Sequence, residues 1–115
     1  MTFSSLVLAT ALSFCVEHLP KCPQVEFRDN IRKSEYIAVA EQYSSGRWVL
    51  GINNAYSRIL TEEETIGVII HEMTHFQMFA AGKYDESHGR TFTQTCKENG
   101  GSKFCGTKVT LRNRP

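Results

Sequence analysis

The sequence predicts an α+β domain in which a small antiparallel sheet packs against three helices. Three observations lead there. Two alternating runs, Glu35–Tyr43 and Arg47–Asn53, flank Ser44-Ser45-Gly46 and read as a hairpin. The stretch from Thr61 to Ala80 opens with helix-capping residues and is too long and too apolar for a strand. An apolar run before Pro20 and a shorter segment after Ser87 supply the other two helices.

At 115 residues, 41% hydrophobic and 22% charged, the chain suits one domain, 1–115, with a single core, and extensive disorder is excluded. A net charge of +1 argues neither for nor against a nucleic-acid partner. The end of the chain is locally basic, with Lys97, Lys103, Lys108, Arg112 and Arg114. Such a run is ordinarily a solvated face, and DNA is the partner it would otherwise suit.

The first helix runs from about Ser4 to His18, capped by Ser4 or Ser5. Leu8, Leu12, Cys15 and Leu19 form its inward stripe. Pro20 and Pro23 end it. Met1 to Val16 also resembles a signal h-region, but no basic residue precedes it, and cleavage after Ala9-Thr10-Ala11 would leave the apolar run too short. The helix reading implies an intracellular protein. No stretch is long enough to span a membrane.

Gln24–Arg28 alternates as a short strand with Val25 and Phe27 on one side, and Asp29-Asn30 turns the chain. In the second strand Tyr36, Ala38, Ala40 and Gln42 share one face; in the third, Trp48, Leu50 and Ile52 do. A helix through Ile37 to Tyr43 is the alternative that the alanines permit. Asn53-Asn54 closes the sheet segment, and Ala55–Leu60 is a connection. Thr61 and Glu64 have capping-box spacing, and Glu62 to Glu64 set negative charge at the positive end of the helix dipole. Ile66, Val68, Ile69, Ile70, Met73, Phe76 and Phe79 make this helix the core, and Gly82 stops it. After the polar loop Lys83–Ser87, Ser87 would cap a third helix over His88–Lys97, with Phe92 and Cys96 inward. Asn99-Gly100-Gly101 ends it, and Phe104–Leu111 reads as a last strand.

Cys15, Cys22, Cys96 and Cys105 contain no C-x-x-C spacing, so a zinc ribbon is not supported. Buried thiols in a reducing compartment are preferred to a disulfide framework.

The central helix carries His71-Glu72-Met73-Thr74-His75. Two histidines four apart project from one helix face and can share a zinc ion, and the glutamate beside them can take a proton from a zinc-bound water. In an apolar helix, uncompensated polar side chains are costly, which disfavours an exposed face carrying the three residues by chance. A catalytic zinc needs a third protein ligand. His88 is the first candidate, because the loop before it lets the chain reverse toward His75; Asp85, Glu86 and Glu98 are others. His18 reads as a surface or capping residue. Glu72 is the general base. Tyr84 and Arg90 are candidates for stabilising an oxyanion.

Together with His88-Gly89-Arg90-Thr91-Phe92, the motif resembles the SprT-like family of zinc metallopeptidases, which includes the Spartan proteases. The family pattern is HE(L/M)xH, a loop, then HGxxF. Weaker similarity runs from residue 3 to 98. The resemblance implies a zincin-like, SprT-like core with His71, His75 and His88 as Zn2+ ligands and Glu72 as catalytic base. It also implies a protein or peptide substrate, with DNA-bound or DNA-crosslinked proteins as the class cut by the best-known members. The family's C-terminal cysteine ribbon and a separate DNA-binding region are missing from this chain, so a minimal protease core is expected, as a monomer. Two rivals are a non-catalytic zinc-stabilised module that binds DNA or protein, and a secreted, disulfide-bonded zinc peptidase.

Overall fold

Residues 2–19, 25–29, 37–82, 89–101 and 105 are described by a computed structural model. In chain order the elements are α1 (Phe3–His18), β1 (Val25–Asp29), β2 (Ala38–Gln42), β3 (Trp48–Ile52), a 3-10 turn (Asn54–Arg58), α2 (Glu62–Ala80) and α3 (Arg90–Glu98). The α+β class stands. The Phe104–Leu111 strand lies outside the described residues, apart from Cys105.

The hairpin forms as expected. Ala38 pairs with Ile52, Ala40 with Leu50 and Gln42 with Trp48, so the two anticipated faces merge into one. The turn closes through the Gly46 amide donating to the Tyr43 carbonyl at 2.9 Å. Gly46 takes φ 91°, a conformation that residues with a Cβ rarely adopt. The sheet as a whole is mixed rather than antiparallel: β3 is central, and β1 lies parallel to it, Val25 beside Trp48 and Phe27 beside Leu50. Side-chain alternation has the same period in both kinds of pairing, so it carries no information on strand direction. Across the β1–β3 edge, Arg47 donates to both carboxylate oxygens of Glu26, at 2.6 and 2.9 Å. That hydrogen bond holds the Glu26 carboxyl below its ordinary pKa and raises the Arg47 guanidinium.

The capping box starts α2 as anticipated. Glu64 N–H donates to Thr61 Oγ1 at 3.1 Å, and Thr61 N–H donates to Glu64 Oε1 at 2.9 Å. The helix ends at Ala80, and Gly82 follows at φ 77°. Between these ends Val68, Ile69, Met73 and Phe76 are almost completely buried, in one cluster with Leu50 and Ile52 of the sheet. Trp48 stacks on Phe76, centroids 5.0 Å apart and planes 11° apart, which seats α2 on β3. An aromatic pair of this kind contributes roughly 0.5–1.5 kcal/mol beyond the area it buries.

α1 covers the same core, but with a different stripe. Val7, Ala11, Phe14, Cys15 and Leu19 are buried, while Leu8 and Leu12 are 43% and 53% exposed. The helix is apolar around most of its circumference, so several stripes satisfy helical spacing, and packing against α2 selects one. Its N-cap is Thr2, whose hydroxyl accepts from Ser5 N–H at 3.0 Å, rather than Ser4 or Ser5. The Ala55–Leu60 connection overlaps the 3-10 turn Asn54–Arg58, with Tyr56 buried as an anchor. α3 starts two residues later than expected, at Arg90 with Gly89 as N-cap; Ser87 and His88 lie outside the described residues. No described helix is long and apolar enough to cross a membrane.

The expectation of free thiols is overturned. Cys96 and Cys105 form a disulfide with Cα atoms 5.5 Å apart, and Cys15 is also disulfide-bonded. Cys96 faces inward from α3, and the chain reverses at Gly100, φ 97°, which brings Cys105 back across it. Cysteine spacing alone could not reveal that reversal.

Candidate metal centre

Helical geometry places His71 and His75 one turn apart on α2 with Glu72 beside them. One ligand atom from each of the three side chains falls within 4.8 Å of the others, a group that could hold a metal ion. His71 is fully buried, Glu72 is 5% exposed and His75 is half-buried. The centre thus sits at the edge of the core, with His75 nearest to solvent. The His71 Nε2 to Glu72 Oε2 distance is 3.6 Å. The His71 and His75 ring centroids are 5.2 Å apart, with planes 75° apart.

The donor set fits a borderline divalent cation. Two imidazoles suit zinc, and a carboxylate held next to them suits either ligation or proton transfer.

α3 frames the pair. Phe92, 1% exposed, lies nearly parallel to the His75 ring at 4.3 Å and edge-on to the His71 ring at 5.1 Å. On the next turn Cys96 is fully buried, and at the helix end Asn99 reaches back to α2. The Asn99 amide donates to Thr74 Oγ1 at 3.2 Å and to Gln77 Oε1 at 2.8 Å. Thr74, inside the motif, donates in turn to the Ile70 carbonyl at 2.7 Å. The motif is therefore buttressed on two sides, by an aromatic ring and by an amide.

Of the residues singled out in the sequence, the structure brings His71, Glu72 and His75 together. His88, Asp85, Glu86 and Tyr84 lie outside the described residues. Glu98 is exposed and accepts from Gln94 at 3.2 Å, so it is not part of the group. Arg90 is exposed at the start of α3. His18 packs its ring on Phe14 at 4.6 Å, beside Glu17, in keeping with an ordinary helix-end residue. Sequence reasoning missed two supports. In the sequence Phe92 reads as inward-facing but not as the ring against both imidazoles, and Asn99 only as a helix stop.

Two curated relatives are similar to this chain, and each is named "Protein SprT-like". That of Bacillus cereus (strain B4264) is 30% identical over 67 residues, covering 54% of this chain and 44% of its own length. That of Anoxybacillus flavithermus is 28% identical over 103 residues, covering 85% of this chain and 62% of its own length. The chain thus spans about half to three-fifths of the length of these relatives. The SprT-like family as a whole matches residues 8–112, which takes in all of α2 and α3 and most of α1. This chain belongs to the SprT-like family.

Proposed function

We propose that the chain is the core of a zinc-dependent metallopeptidase, with Glu72 as general base and His71, His75 and His88 as metal ligands. The observation that carries the reading is the buried grouping of His71, Glu72 and His75 on one helix of an SprT-like chain. Support for His88 comes from its neighbours. Gly89 is the N-cap of the helix whose Phe92 stacks on His75, and the H-G-x-x-F spacing matches the family pattern.

A zinc ion held there supplies a Lewis acid that acidifies water and polarises a carbonyl. His71 and His75, fixed by the α2 backbone, would hold the ion. The Glu72 carboxylate, between the two histidines in sequence, would accept the proton of the attacking water and pass it to the leaving amine. Its near-complete burial keeps that proton from bulk solvent. The substrate is a peptide bond of a protein. DNA-associated proteins are the proposed class, and Arg90 and Lys97 are exposed basic residues of α3.

The test is zinc stoichiometry together with hydrolysis of an unfolded protein, with and without DNA. Wild type should bind one zinc and cleave. Glu72→Gln should keep the zinc and lose cleavage by about 10²–10⁴-fold. Full cleavage by that variant rules the mechanism out, whereas zinc binding without cleavage by wild type favours the non-catalytic module.

The Cys96–Cys105 bridge favours a second reading of location. Disulfides persist in oxidising compartments, so an exported peptidase competes with the intracellular one. Intact mass of the protein from its native source, with and without reduction, separates the two.

A further inference from the structure

α3 spans nine residues, shorter than a helix that is stable alone in water, and its Gly89 N-cap offers no side-chain hydrogen bond. What docks it is mainly one face. Phe92 and Cys96 are buried in a cluster with Met78 of α2 and Cys105. The bridge to Cys105 locks that face from behind. The reversing chain is fitted tightly to the sulfurs. A Cβ at Gly101 would overlap Cys96 Sγ and stand 2.7 Å from Cys105 Sγ, and Gly101 N–H donates to the Cys96 carbonyl at 2.9 Å. One turn away on the same face, Phe92 lies against both imidazoles.

We propose that the Cys96–Cys105 disulfide is a redox clamp on the metal centre: it holds Phe92, a positioning residue, against His71 and His75, and its reduction weakens their hold on zinc. The inference rests on the metallopeptidase reading for the identity of the ion. The physical basis is orientation. A ring stacked on one imidazole and edge-on to the other restricts the side-chain torsions of both; hydrogen-bonded partners that orient metal ligands in the same way are worth about 10–100-fold in metal affinity. A dithiol breaks the S–S bond, delivers one electron and one proton to each sulfur, and is itself oxidised to a disulfide. α3 then keeps Phe92 and the Asn99 hydrogen bonds, but nothing covalent opposes its fraying.

The experiment measures zinc affinity by competition with a chromophoric chelator. It compares oxidised wild type, phosphine-reduced wild type, Cys96→Ala/Cys105→Ala and Phe92→Leu. The phosphine becomes its oxide, with oxygen from water, and adds no thiol. Because the freed cysteines can bind zinc themselves, the double variant decides. The imidazole proton shifts of the metal-free protein are recorded in parallel, since a ring 4.3 Å away displaces them. The double variant and Phe92→Leu should each bind zinc about tenfold or more weakly, with moved His71 and His75 shifts. Wild-type affinity and unmoved shifts in a folded double variant overturn the clamp. Should that variant not fold, Phe92→Leu with the bridge intact carries the test, and unchanged affinity there overturns the role of Phe92. Oxidised wild type that binds no zinc overturns the metallopeptidase reading instead. The imidazole shifts then still report whether the bridge holds Phe92 on the two rings.

Discussion

Phe92 and His75, from different helices, stack with centroids 4.3 Å apart and planes 25° apart. The contact joins the packing of α3 to the chemistry of α2. It makes the packing of the candidate metal centre depend on a helix that contributes none of the three grouped donors.

That dependence gives a graded expectation. Phe92→Ala empties a fully packed site and should cost about 3–5 kcal/mol of stability. Phe92→Leu keeps most of the apolar volume and should cost under about 1.5 kcal/mol. Urea unfolding of the metal-free proteins measures both, and equal losses would mean that α3 does not pack as described.

Zinc should stabilise the fold by mass action. At free zinc a hundredfold above Kd, a ligand that binds only the folded state adds about 2.7 kcal/mol. Glu72→Gln should retain most of that gain, whereas His71→Ala and His75→Ala should lose it. Thermal unfolding with and without zinc provides the comparison. An equal gain in wild type and His71→Ala would place the ion elsewhere.

Asn99 ties the end of α3 to the motif helix. Asn99→Ala removes both donated hydrogen bonds and leaves Thr74, fully buried, short of one donor. A loss of about 1–3 kcal/mol is expected, with faster amide exchange along α3 than along α2. Uniform exchange would show that the two helices open as one unit.

The Glu26–Arg47 pair gives the fold a pH dependence of known sign. Arg47 depresses the Glu26 pKa from its ordinary 4.5. The carboxylate therefore contributes stability above that value, which is lost as pH falls through the lower folded pKa. Both side chains are about half exposed, so the effect should be small and should shrink with salt. Melting temperatures of wild type and Glu26→Gln should differ most near neutrality and converge at strongly acidic pH. A gap that widens on acidification would contradict the pairing.

Much of the architecture is legible in particular residues. Thr61 and Glu64 mark the start of α2 and Gly82 its stop, because capping and positive φ are local physics. The β2–β3 hairpin follows from the alternation on either side of Ser44-Ser45-Gly46. The inward stripe of α1 is not legible, because Leu8, Leu12 and Val16 are as apolar as the Val7, Ala11 and Phe14 that packing selects. The parallel placement of β1 is not legible either, since it depends on a connection rather than on the strand.

The same division holds at the centre. The sequence by itself determined that His71 and His75 share one face of one helix with Glu72 next to His71, since a period of 3.6 residues brings positions four apart together. Only the tertiary structure decided that Phe92 would lie on those imidazoles, that Asn99 would reach Thr74 and Gln77, and that Cys96 would meet Cys105. Each of these contacts needs α3 to dock at one angle and the chain after Gly100 to fold back. Docking is selected by the fit of many side chains at once, which no local spacing encodes.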